Sequence, residues 1–427
     1  MSSVFKATIT NSNLIGICVA SILLISLGFL FVKKRIFNKT WIPAFSKLVL
    51  EVSLPAIAFR GFMSSMTIEL LKQQAWIILI SFVMHGVLCF LAWIWSKFQH
   101  KIPAFIKNAN SNSVLGTLSA KTDGDIPQQR VMVMFMLLVF GMTTTFGLPV
   151  LAEFYKGTPH QSNAIISASI YNFPQRIFLY TYGFIVLTGM KSSKQNFKKN
   201  MKVMLTNPTL LITFFGFVLW LLQLIPSLGA HEVMLNKPIN IATQNGEIVV
   251  EKYANYGLWF QRIYIDQNNE RYIYNFAQNL YTKTNLAPSG YMNFSTTIPF
   301  VFNVANMIAA ICTPIVWFSV GMKMGESKLK HVFSDKWAWI YTIIKIIVMP
   351  AIILGILKAL NNSGHIDKIT GLSIVVIFST PPGAVPTSLS LSHNQAPHFT
   401  ARASALSTLA SIIFIPTWIV ISEVTFT

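Results

Sequence analysis

The feature that most constrains this chain is the recurrence, along its whole length, of apolar stretches close to 20 residues long. A helix rising 1.5 Å per residue needs about that many to cross a hydrocarbon core of roughly 30 Å. The stretches fall at residues 13–32, 41–63, 74–96, 131–154 and 163–189, then at 208–229, 297–321, 337–359, 369–392 and 400–423. Charged residues make up 11% of the 427, against about 25% in soluble domains. The expected fold is therefore an all-α polytopic membrane protein with ten transmembrane helices. The first stretch, Asn13 to Val32, is long for a signal peptide, lacks a small-residue cleavage site and is followed by Lys33-Lys34-Arg35, so it reads as a span. Cys18, Cys89 and Cys312 show no CxxC spacing. They imply neither a disulfide framework nor a metal site, and no cofactor is expected.

A formal charge of +19 would in a soluble protein suggest nucleic acid, but its distribution argues otherwise. With ten spans and the N-terminus outside, the inner segments hold roughly nineteen basic residues, among them Lys33, Lys34, Arg35, Lys39, Lys101, Lys107, Lys121, Lys191, Lys194, Lys198, Lys199, Lys202 and Lys328. Only Asp123, Asp125, Glu326 and Asp335 oppose them. A basic excess spread over short joints is a topology signal and not a nucleic-acid surface. It places the chain in the cell membrane with both termini extracellular.

The one soluble-looking piece lies at residues 230–296. Strand-like alternation appears in Glu247-Ile248-Val249-Val250-Glu251, in Arg262-Ile263-Tyr264-Ile265-Asp266 and in Arg271-Tyr272-Ile273-Tyr274, with Asp266 to Glu270 as a hairpin turn. This predicts a small extracellular β-containing insertion.

Two spans carry residues that an uninterrupted helix would avoid. The fourth contains Gly141-Met142-Thr143-Thr144-Thr145-Phe146-Gly147-Leu148-Pro149. The ninth contains Ser379-Thr380-Pro381-Pro382-Gly383-Ala384-Val385-Pro386-Thr387-Ser388. Proline removes a backbone donor and clashes with the preceding turn, so the ninth span is expected to unwind. Freed peptide groups must then line a protein-enclosed or water-filled cavity, as in discontinuous transporter helices. A half-helix starting after each break would aim its positive end at an anion such as a carboxylate. The breaks lie five spans apart. Since five is odd, two five-span repeats, residues 1–189 and 190–427, must be inserted with opposite orientations.

At these residues the sequence resembles the auxin efflux carrier family, which includes bacterial malate permeases. The resemblance rests on Lys47 to Pro55, on Thr143, Gly147 and Pro149, on Thr313-Pro314 to Gly321, on Lys345 to Pro350, and on Ala405 to Ser411 followed by Pro416. It implies two inverted five-helix repeats whose broken fourth and ninth helices cross at the substrate site. The family usually has asparagines where this chain has Met142 and Pro386, and often paired asparagines where it has Gln175-Arg176.

The candidate substrate-binding residues are Thr143, Thr144, Thr145, Gly147, Pro149, Asn172, Arg176, Pro382, Gly383, Pro386, Thr387 and Ser388. Arg176 is the leading candidate for a substrate carboxylate, because an intramembrane arginine costs at least roughly 2.5 kcal/mol unless paired or hydrated. A snorkelling or purely structural arginine is the alternative. Lys47, Glu51, Arg60 and Lys345 are candidates for a charge or coupling role, with Lys47 and Glu51 spaced to pair on one helix face. The expected function is secondary active transport of small organic anions, mono- or dicarboxylates such as malate, by alternating access. Proton or sodium coupling, another solute class, a membrane sensor and a homodimer stay open. Without HExxH, GxSxG or Walker motifs, no enzyme is expected.

Overall fold

The longest apolar runs become the longest helices. The computed structural model describes residues 2–38, 41–98, 125, 127–189, 198, 201–202, 205–225, 228–257, 261–326 and 329–426. Among the described residues, five helices are long and apolar enough to cross a membrane: Ser12–Lys33, Ile68–Trp95, Pro299–Gly325, Lys336–Asn362 and Pro397–Thr425. Shorter apolar helices cover Gln129–Val139, Pro208–Leu224 and Lys368–Phe378. Large apolar side chains face outward along them, including Phe90, Phe214, Met307 and Ile413. Such exposure suits lipid, where apolar surface carries no hydration cost. Of the basic residues used for orientation, Lys39, Lys101, Lys107, Lys121, Lys191, Lys194, Lys199 and Lys328, with Asp123, lie outside the described residues.

Proline shapes the helices in a repeated way. Pro55, Pro149 and Pro350 each stand two residues after a π-helical turn, at Val49–Ser53, Thr143–Gly147 and Ile344–Val348. The ring has no N–H and crowds the carbonyl one turn back, so the helix widens and leaves carbonyls unpaired. Other side chains then donate to them. The Trp418 indole N–H donates to Ile346 O at 2.7 Å, and the Thr209 hydroxyl donates to Leu50 O at 3.0 Å. Widening also turns Lys345 inward, where it is 2% exposed.

The helices pack in two groups, joined where Gln161–Phe178 meets Leu54–Phe62. Ser12–Lys33 lies against Cys312–Glu326, and Leu54–Phe62 against Pro208–Leu221 and Pro299–Ala310. In the other group, Gln161–Phe178 contacts Ile68–Phe98 and Lys368–Phe378, while Lys336–Ile343 contacts Pro397–Thr425. Glycine sets the closest approach in the first group. A Cβ at Gly28 would lie 2.2 Å from Phe318 O, and one at Gly321 2.0 Å from Ile25 O. No side chain fits between these two backbones, the small-residue mode of helix association in lipid.

The chain is not all-α. Between the Pro208–Leu224 and Pro299–Ala310 helices, strands β1 (Glu232–Thr243), β2 (Gly246–Tyr256), β3 (Gln261–Asp266), β4 (Arg271–Asn275) and β5 (Leu280–Lys283) close into a barrel. Neighbours are antiparallel except where β1 and β5 meet in parallel at Thr243 and Tyr281. The alternating runs read from the sequence lie in β2, β3 and β4. In the β3–β4 turn, Asp266 Oδ1 accepts from the N–H groups of Asn268 and Glu270, at 2.9 and 2.8 Å. Pro238 falls where the β1 register shifts between Met234 and Ile239, a bulge that spares the ladder its missing donor. Closure removes both sheet edges, which a lone hairpin would leave bare. Ile241, Val250 and Tyr272 fill the interior.

Candidate functional site

The two proline- and glycine-rich breaks meet. The fourth stretch runs as Pro127–Val139, a break, the π turn Thr143–Gly147 and then Leu148–Phe154. The ninth runs as Lys368–Phe378, a break and Ala384–Ser392. Gly141 and Pro382 form an isolated antiparallel β-bridge. Met142 N–H donates to Pro381 O at 2.6 Å and Gly383 N–H donates to Phe140 O at 2.8 Å. Groups that unwinding frees in one helix are thus satisfied by the other, as burial requires.

The geometry sorts positive from negative helix ends. Carbonyls ending the first half of the fourth stretch are taken by neighbours: Tyr341 Oη donates to Leu137 O at 3.0 Å, Lys345 Nζ to Leu138 O at 2.9 Å and Gln175 Nε2 to Gly141 O at 3.3 Å. The halves that start after the breaks are treated differently. Gly383, the residue before Ala384–Ser392, has extended backbone and offers no side-chain cap. The N–H groups of Ala384 and Val385 therefore have no intrahelical acceptor, and both residues line a cavity. Thr143, Thr144 and Thr145, which open the other half, line the same cavity.

That cavity encloses about 560 Å³, its open mouth included, and lies between the two helix groups. Leu50 and Asn207 bound it on one side, and Phe140 to Thr145, Gln175, Arg176 and Gly383 to Pro386 on the other. Arg176 is 9% exposed. Its guanidinium donates to Thr144 Oγ1 at 3.4 Å, with the Tyr180 hydroxyl also beside it. No carboxylate pairs with it among the described residues. It also borders a smaller adjoining hollow lined by Ser169, Asn172, Thr209 and Thr213, in which the buried Ser169 hydroxyl has no partner among the described residues. Backbone N–H groups, hydroxyls and one guanidinium converge here, with no acid among the described residues that line the cavity. Donors gathered in this way are the groups that hydrogen-bond an anion.

The structure brings together Thr143, Thr144, Thr145, Arg176, Gly383 and Pro386 around the cavity, with Pro382 in the bridge beneath them. Asn172 lines the adjoining hollow and takes part in a buried cluster. The Thr143 hydroxyl lies against Asn172 Oδ1 and, at 2.7 Å, Gln175 Oε1, so one proton serves two acceptors. Gly147 and Pro149 are buried packing residues. A Cβ on Gly147 would lie 3.1 Å from Thr380 Cγ2, and Pro149 sits in the first turn of Leu148–Phe154. Thr387 donates to Gly383 O at 2.7 Å and Ser388 is exposed, so neither lines the cavity. Lys47 and Glu51 approach to 3.9 Å at the bundle's periphery, with side chains 73% and 51% exposed. Arg60 donates to Asn306 Oδ1 at 3.2 Å, again away from the crossing. Lys345 alone of the four candidate coupling charges reaches the crossing.

Sequence reasoning missed Gln175 and Asn207 as site residues. Gln175 had a signal, since it is an amide beside Arg176 within an apolar stretch. Asn207 caps Pro208–Leu221 by accepting from Leu210 N–H at 3.1 Å, and nothing in the sequence ties that cap to the breaks.

No curated protein matches the chain. The model of a family described as membrane transport protein matches residues 291–421, from just before the Pro299–Ala310 helix well into the Pro397–Thr425 helix. Over those residues the chain is similar to that membrane transport family, in keeping with the resemblance its motifs bear to the auxin efflux carriers.

Proposed function

We propose that this membrane transporter carries small organic anions, mono- or dicarboxylates such as malate, by alternating access at the helix crossing. The observation that carries the reading is Arg176, a nearly buried guanidinium with no carboxylate partner among the described residues, beside the uncapped starts of two half-helices. A guanidinium holds both oxygens of a carboxylate in parallel hydrogen bonds, and the two helix starts supply further donors. Because the cavity lies between two helix groups, sliding one group past the other would expose it to opposite sides in turn. The test is uptake into liposomes holding the purified protein, with malate, a monocarboxylate and an organic cation of similar size. Accumulation of the carboxylates above protein-free liposomes is expected. Uptake of the cation with rejection of both anions would overturn the reading.

Ten spans in two inverted repeats, with both termini and the barrel outside, follow from the same reading. Cysteines placed singly in residues 232–283 should react with an impermeant maleimide in intact cells, and cysteines in residues 191–202 only after lysis. The reverse pattern would change the span parity and sink the inverted-repeat arrangement.

A further inference from the structure

Half-helices that end at a crossing present carbonyls and a negative dipole end, and in transporters built this way those ends coordinate the coupling cation. Here that end is already taken. Lys345, turned inward by the π turn Ile344–Val348, donates from Nζ to Leu138 O at 2.9 Å, and Tyr341 donates to Leu137 O beside it. Leu138 belongs to the last turn of Pro127–Val139. The ammonium also lies against the break itself, since a Cβ on Gly141 would stand 3.1 Å from Nζ and 2.8 Å from Thr380 Oγ1. Thr380 Oγ1 in turn donates to Ile377 O at 2.7 Å, in the last turn of the opposing half-helix Lys368–Phe378. One buried lysine thus bonds the negative end of one half-helix, and Thr380 bonds that of the other beside it.

We propose, resting on the crossing being the transport site, that Lys345 is a built-in counter-cation of the crossing and that substrate movement therefore needs no sodium ion. A lysine ammonium delivers its charge as a compact point with three donors, which is what a bound monovalent cation would supply to the same carbonyls. Arg176 faces the cavity at the positive ends, and Lys345 holds the negative end of Pro127–Val139. The two basic residues divide the work: one meets the substrate, the other replaces its co-ion.

Two measurements on the full-length protein test this. In liposomes, malate uptake by the wild type should be unchanged when a sodium gradient is replaced by choline. Dependence on sodium would overturn the proposal. In detergent without any substrate, the wild-type Tm should be the same in sodium and choline chloride, whereas Lys345→Ala should melt about 5 °C lower in choline and recover part of that loss in sodium. A sodium-specific rise in the wild-type Tm, or a Lys345→Ala variant with wild-type Tm in both salts, would refute it. If the variant does not fold, the wild-type arms still decide. Should malate not be transported in any salt, the substrate reading fails while the melting arm still judges Lys345.

Discussion

Replacing Pro381, Pro382 and Pro386 together with alanine is expected to leave the chain in the membrane and reduce uptake to that of protein-free liposomes. Proline in a helix interior is disfavoured by about 3 kcal/mol relative to alanine. The break is held from the other side by two inter-helix hydrogen bonds, Met142 N–H to Pro381 O and Gly383 N–H to Phe140 O, each worth a net ~1 kcal/mol. Once the prolines are gone, continuous helix from Lys368 to Ser392 wins. The β-bridge between Gly141 and Pro382 is lost, and the N–H groups of Ala384 and Val385 gain carbonyl acceptors within the helix instead of facing the cavity. Apolarity, which governs insertion, is untouched. Surface labelling in cells, with uptake measured in liposomes holding the purified variant, separates the two effects. Uptake at the wild-type level would mean that the prolines only bend the helix.

Much of this architecture was legible because lipid enforces simple rules. An apolar run of some 20 residues has few alternatives to a helix, so the runs at 13–32 and 400–423 reappear as Ser12–Lys33 and Pro397–Thr425. The cluster Pro381-Pro382-Gly383 likewise announced a break, and Gly141 to Pro149 announced its partner by its own glycines, threonines and proline. What the sequence hid were contacts between residues far apart along the chain. Lys345 reads as one basic residue in an apolar run, and its bond to Leu138 O depends on a π turn set by Pro350 and on the place where Pro127–Val139 ends. Thr387 and Ser388 look like cavity hydroxyls by sequence proximity, but helix begins at Ala384 and carries them past the cavity. The barrel was half visible. β2 to β4 alternate cleanly, whereas β1 is interrupted by Pro238 and β5 is four residues long, so closure had no local signal.

Arg176 should lose anion affinity when its guanidinium is removed. A hydrogen bond to a charged group contributes about 1.5–3 kcal/mol, so Arg176→Gln should bind malate roughly 10- to 100-fold more weakly. Arg176→Lys should recover only part of this, because a lysine cannot span both carboxylate oxygens. Stability should move less. The guanidinium holds Thr144 Oγ1 by a long bond of 3.4 Å, with the Tyr180 hydroxyl beside it, and glutamine relieves the cost of holding a charge among half-helix starts. The central claim is that a carboxylate sits at the crossing against Arg176, and calorimetric titration of malate into detergent-purified wild type, Arg176→Lys and Arg176→Gln tests it most directly. Affinity should fall in that order, with melting temperatures nearly level. Equal affinity in all three, with a large drop in Tm for Arg176→Gln, would contradict it and make Arg176 a structural tie.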